Sequence, residues 1–219
     1  MRYTKRVFKC CLLAFLSALL LMSAIACVQR DVESQGTRDG YILSLLWWPT
    51  YCHNHPELQA CAGASFRGFV VQGLLPRSSS RSQRDCGARP GPSDPSKLLD
   101  LIPDRSLVQD VWKQYGLCSG LMADSYFALV KRALSLTHIP GIFIDPKESF
   151  VISPEKIKQA FAELNAGLTD GDIKIVCSQT DLSEVRICVS KQLHFMSCPV
   201  LPDCQRSVVY VTARMPLAE

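Results

Sequence analysis

After about residue 40 the apolar positions fall into short runs set apart by polar stretches rich in proline and glycine. Tyr41 to Trp48 (YILSLLWW) mixes β-branched, aromatic and aliphatic residues and predicts a buried strand, ended by Pro49. Phe69-Val70-Val71 predicts a second, short strand halted by Gly73 and Pro76. Residues 53–65, around the interval from Cys52 to Cys61, read as loop. Residues 77–96 are rich in Ser, Arg, Gly and Pro, with RPGPSDPS as the clearest punctuation. They predict a long irregular loop tied down by Cys86.

The helical periods come later. Residues 106–116 fit a helix capped by Ser106, with Leu107, Val108, Val111 and Trp112 on one side. From Asp124 onward, Phe127, Val130, Ala133 and Leu134 hold a helical face, which Pro140-Gly141 ends. In SPEKIKQAFAELNAG, Ser153 caps, Pro154 takes the first helical position and Glu155 suits the positive end of the dipole. Ile157, Ala160, Phe161 and Leu164 form its buried face, and Asn165 and Gly167 supply the stop. Ile173–Cys177, Val185–Val189 and Val208–Val211 predict three further strands. Strands and helices mix without regular βαβ alternation, so the expected class is α+β.

The amino-terminal pattern changes the composition argument. Arg2, Lys5, Arg6 and Lys9 precede an apolar run from Cys10 to Leu21, then Ser23, Ala24 and Ala26. This is the order of a secretory signal over residues 1–26, and the run is short of the about 20 residues of a membrane-crossing helix. Cleavage after Ala26 leaves Cys27 as the amino terminus. Alternatively, Ala24-Ile25-Ala26-Cys27 is an imperfect lipobox, and Cys27 carries lipid if the source is bacterial. Of 11 cysteines, Cys10 and Cys11 lie in the signal. Acylating Cys27 removes the odd thiol and leaves eight for pairing. Residues 27–40 read as a flexible leader and 41–219 as one domain. The chain holds 24 Lys+Arg and 20 Asp+Glu, and the signal contains four of the bases and no acid. The mature part is therefore neutral, which excludes the strong positive field of a general polyanion binder. Arg77, Arg81, Arg84 and Arg89 read first as a solvated loop and second as a local basic patch. With no C-x-x-C pair outside the signal and four scattered histidines, no metal or other cofactor is expected.

From Trp48 onward the sequence resembles the ribonuclease T2 family. Trp48-Pro49-x-x-Cys52 resembles the family's W-P-x-x-x-C element, one residue shorter. Phe69-Val70-Val71-Gln72-Gly73-Leu74-Leu75-Pro76 resembles its first active-site segment, usually F-T-I-H-G-L-W-P. Asp110-Val111-Trp112-Lys113-Gln114-Tyr115-Gly116-Leu117-Cys118 resembles the second, usually H-E-W-x-K-H-G-T-C. The spacing of Cys177, Cys188, Cys198 and Cys204 resembles the family's tail. The resemblance implies a central antiparallel sheet flanked by helices and stapled by disulfides. Among 105 connectivities it implies Cys52–Cys61, Cys86–Cys118, Cys177–Cys204 and Cys188–Cys198.

It also implies a chemistry: attack of the ribose 2′-hydroxyl on the neighbouring phosphate, giving a 2′,3′-cyclic phosphate. That reaction needs a base, an acid and positive charge, and histidine suits both proton roles. Here Gln72 replaces the first histidine, while Asp110, Val111, Gln114 and Tyr115 stand where the second segment has histidine, glutamate, lysine and histidine. A four-residue spacing pairs Asp110 with Gln114, and Val111 with Tyr115, on a helical face. His53, His55, His138 and His194 offer no substitute. Trp47, Trp48 and Trp112 read first as core packing and second as base-stacking residues, with Trp48 and Trp112 the candidate binding residues. The expectation is a secreted or envelope-associated, catalytically inactive relative that binds a protein, RNA or nucleotide as a monomer. Membrane contact would come only through lipid at Cys27. The alternative is a weak or altered endoribonuclease using Asp110 and Tyr115.

Overall fold

The computed structural model describes residues 40–62, 68–77 and 86–213, so the signal, Cys27 and most of the leader lie outside the described residues. Six strands form one sheet. They are β1 (Gly40–Trp47), β2 (Phe69–Pro76), β3 (Phe150–Ile152), β4 (Ile173–Ser178), β5 (Asp181–Ser190) and β6 (Val209–Val211). β1 lies between β2 and β5, and β4 pairs with the other side of β5; all three pairings are antiparallel. One parallel pair, Asp181 with Tyr210, joins β5 to β6, which pairs antiparallel with β3 at the edge. Among the described residues five α-helices complete an α+β fold: α1 (Trp48–Asn54), α2 (Gln59–Ala62), α3 (Arg105–Val111), α4 (Ala123–Ser135) and α5 (Pro154–Leu164).

Strand alternation selects the core face. Leu43, Leu45 and Trp47 of β1 are fully buried, and Leu43 and Leu45 sit opposite Ile187 and Val185 of β5. Against this face pack Tyr126, Phe127 and Val130 of α4 and Ile157 and Phe161 of α5. Trp47, Phe69, Phe143 and Phe161 meet at centroid distances of 4.9 to 6.0 Å. Offset and edge-to-face contacts of this kind each add about 1 kcal/mol beyond burial. Leu164, expected on the buried face of α5, is instead 49% exposed, because α5 ends there and its buried residues are Pro154, Ile157 and Phe161.

Three local expectations are corrected. The first is that Trp48 and Pro49 do not end a strand in loop: proline's fixed φ suits a first helical turn, so they begin α1. The second is that β2 runs on to Pro76 rather than stopping at Gly73. The third is that the cap of α3 is Asp104, not Ser106, its carboxylate accepting the N–H groups of Ser106 and Leu107 at 2.6 and 3.2 Å. Among the described residues four disulfides form, Cys52–Cys61, Cys86–Cys118, Cys177–Cys204 and Cys188–Cys198.

The cap gives a testable number. Asp104→Ala is expected to cost about 1 kcal/mol near neutral pH. The Ser106 hydrogen bond holds the Asp104 carboxyl below its ordinary value. Its stabilisation is therefore complete above the unfolded value of about 4 and is lost as pH falls through the lower folded value. Urea unfolding of both proteins at about pH 7 and about pH 2 checks this. A gap undiminished in acid would rule out the charged cap.

Candidate functional site

The site begins with a bulge. Ser44 of β1 pairs with Gly73 of β2, and the next residue, Leu45, pairs with Val71. Gln72 is therefore the extra residue of β2, and such bulges re-aim a side chain out of the regular alternation. Gly73 is required for close approach, since a Cβ there would lie 2.7 Å from Cδ2 of Tyr115. Tyr115 thus packs on the strand beside Gln72.

Beneath Gln72 lies a polar network on the face of the sheet opposite the core. Ser44, fully buried, has its Oγ 2.7 Å from Gln72 Oε1 and within bonding reach of the Glu184 carboxylate. A hydroxyl has one proton, so it serves one of these acceptors at a time. Arg186 donates to Glu184 twice, Nε–H to Oε1 at 2.7 Å and Nη2–H to Oε2 at 2.8 Å. Burial and the Glu184 charge push the Tyr115 phenol above its ordinary value, against a smaller opposing effect of Arg186.

The second motif lies on α3 and its continuation. After Val111 the backbone widens into a π-helical turn, Trp112–Gly116, followed by a 3₁₀ turn, Leu117–Ser119. Such a turn shifts the side chains that follow it relative to α-helical spacing. Asp110, Val111 and Gln114 remain on one wall, but Tyr115 turns to Gly73, which corrects its expected pairing with Val111. Arg89 fixes the end of this segment. Its Nη1 donates to Leu121 O at 3.0 Å and its Nη2 to Leu117 O, and its guanidinium sits 5.9 Å from the Trp112 ring centroid.

Gln72, Asp110, Val111 and Gln114 meet at a cavity of about 170 Å³ between β1, α1, β2 and α3. Leu46, Val70 and Ile102 supply apolar wall, and Trp48 and Tyr51 supply aromatic wall. The Trp48 and Tyr51 rings stack at 5.3 Å and 20°. Burial, then the charges of Asp110, Glu57 and Asp104, push the Tyr51 phenol up. Among the described lining residues Asp110 is the only charged one, and none is histidine.

The other sequence candidates are placed elsewhere. Trp47 and Trp112 are core residues, Trp47 donating to Thr212 O at 2.9 Å and Trp112 to Arg89 O at 3.3 Å. Trp48 also is almost wholly buried, although it lines the cavity. His53 is exposed on α1, whereas His55 lies against Tyr51, ring centroids 4.4 Å apart. Of the arginine run, Arg89 is structural, and Arg81 and Arg84 lie outside the described residues. No group of three His, Cys, Asp or Glu side chains that could hold a metal occurs among the described residues. No described helix is long and apolar enough to cross a membrane. Tyr51 went unread as a site residue. The helical spacing from Trp48 to Tyr51 to His55 would have pointed to it had α1 been recognised.

Comparison with known proteins follows this geometry. The Ribonuclease T2 family model matches residues 38–198. The RNase-related protein from Calystegia sepium is 18% identical, with TM-score 0.56, over 81% of this chain and 98% of its own. RNase NT, solved in complex with 5′-AMP, is 18% identical, with TM-score 0.58, over 80% of this chain and 98% of its own. The self-incompatibility-associated SF11-RNase of Nicotiana alata is 19% identical, with TM-score 0.56, over 81% and 99%. At such identities the structural likeness shows the fold alone. No curated protein matches the chain. The family model spans both motif segments and five of the six described strands, and the chain belongs to the ribonuclease T2 family.

Proposed function

We propose that this protein is a non-cleaving member of the ribonuclease T2 family that works by binding, outside the reducing cytoplasm. The observation that carries the reading is the cavity wall, where Gln72, Asp110, Val111 and Gln114 occupy the motif positions. A glutamine amide exchanges no useful proton near neutral pH, and each lost general acid or base costs about 10²–10⁴-fold. Four disulfides fit an oxidising compartment. Secretion through the signal at residues 1–26, with or without lipid on Cys27, is part of the proposal.

An enzyme built on Asp110 and Tyr115 is the weaker reading. Tyr115 packs on Gly73 and has its proton held more tightly by burial and by Glu184, which makes a poor acid. The test is cleavage of a fluorogenic single-stranded RNA by the disulfide-intact mature chain, beside a Gln72→Leu, Asp110→Asn, Tyr115→Phe control. Equal rates are expected. A native rate clearly above the control would overturn the non-cleaving reading.

A further inference from the structure

We infer that the cavity between α1 and α3 receives the basic side chain of a protein partner, an arginine or a lysine, its stem against the cavity wall and its charged head on the Asp110 carboxylate. This deepens the binding role proposed above and rests on it. Two observations point to a cation, and a third supplies the wall for its stem. Asp110 is the only charged group among the described lining residues, so the wall attracts a positive ligand and repels a phosphate. Among the described residues Asp110 forms no ion pair, and it is exposed at the rim, where a ligand can reach it. Tyr51 lines the same space with Trp48 stacked on it at 5.3 Å and His55 4.4 Å away, so its ring serves as wall for the aliphatic stem of such a side chain.

Size narrows the source. About 170 Å³ falls below the roughly 300–1,000 Å³ of sites that enclose a whole small ligand. It suits one side chain whose aliphatic stem lies along Leu46, Val70 and Leu107 while its charged head meets Asp110. The amide of Gln72 stands at the same wall, its oxygen accepting from Ser44 and keeping a second lone pair that can accept from a guanidinium. The negative field is also sensed inside the wall, where Asp110, Glu57 and Asp104 all raise the Tyr51 phenol after burial has done so.

The experiment is ligand-observed saturation-transfer NMR on the disulfide-intact mature chain with three probes at millimolar concentration. These are N-acetyl-arginine amide, N-acetyl-norleucine amide and cytidine 3′-phosphate. The arginine probe is expected to bind best, and Asp110→Asn to weaken it by about ten-fold while leaving the norleucine signal unchanged. The Asp110 side chain is exposed and makes none of the described side-chain hydrogen bonds, so this variant tests charge rather than folding. No arginine signal, a stronger cytidine 3′-phosphate signal, or arginine binding indifferent to Asp110→Asn would overturn the inference. Any of these, with RNA uncleaved, leaves the non-cleaving reading standing, whereas RNA cleavage removes that reading whatever the probes do.

Discussion

Replacing Gly116 with alanine is expected to lower the stability of the protein by about 3 kcal/mol, although the backbone there is helical. Two opposing effects decide the sign. Gly116 has φ −66° and ψ −41°, so alanine meets no conformational penalty and on propensity alone should gain about 1 kcal/mol. The added Cβ, however, would lie 2.1 Å from Cε3 and 2.6 Å from Cζ3 of Trp112. The ring has little room to retreat. Trp112 is 2% exposed, donates its N–H to Arg89 O and sits 6.0 Å from the Tyr126 ring. Overpacking of a filled core costs about 1–3 kcal/mol, and ejecting a large aromatic about 3–5 kcal/mol. The clash therefore outweighs the propensity gain. A fall in the urea midpoint at unchanged m checks the result. In a Trp112→Leu background the same substitution should cost much less, because the obstructing ring is gone. An unchanged or raised midpoint for Gly116→Ala would show that the turn can open without loss.

The contrast between what the chain spells out and what it conceals runs along physical lines. β1 and α5 are legible because their information is local. The β-branched, aromatic and aliphatic run from Tyr41 declares a buried strand, as β1 is, and Ser153-Pro154-Glu155 declare a helix start that the structure reproduces, Ser153 Oγ accepting from Lys156 N at 3.3 Å. The disulfide pairing was implied only by family resemblance, since spacing leaves many connectivities open. Pro49 carries two meanings, strand stop and helix start, and only the neighbouring structure selects the second. β3 is three residues long, too short for a period to show. The bulge at Gln72 depends on register against β1, a long-range fact invisible in β2 itself. The π turn likewise reassigns Tyr115 from the cavity to Gly73, although the sequence Asp110 to Gly116 reads as ordinary helix. The candidate positions Gln72, Asp110 and Gln114 were readable as a set only through the family resemblance, while Tyr51, Ser44 and Glu184, which surround or underlie them, were not.

Glu184 shows why a partner of this kind matters, and its removal is the second large effect expected. Its side chain is 6% exposed and that of Arg186 is 23% exposed, so the pair is mostly withdrawn from water. Removing one member of such a pair leaves a charge without compensation and costs about 3–5 kcal/mol. Glu184→Leu should fall at the lower end, about 3 kcal/mol, because the part-exposed guanidinium recovers some hydration. Replacing both residues, Glu184→Leu with Arg186→Met, should return stability to within about 1 kcal/mol of the native chain, since the desolvation cost of both charges disappears with their attraction. Thermal and urea unfolding of the two single variants and the double variant measure the coupling directly. Additive losses would mean the pair contributes as two independent side chains. The same variants report on the cavity above. Without Glu184, the Ser44 hydroxyl is left with Gln72 as its acceptor, and the Tyr115 phenol loses a negative neighbour that raised it. The phenolate transition assigned to Tyr115 should therefore move to lower pH in the milder variant Glu184→Gln, but stay above that of free tyrosine because burial, the larger cause, remains. A transition that does not move would show that the charge beneath the cleft is not sensed at Tyr115.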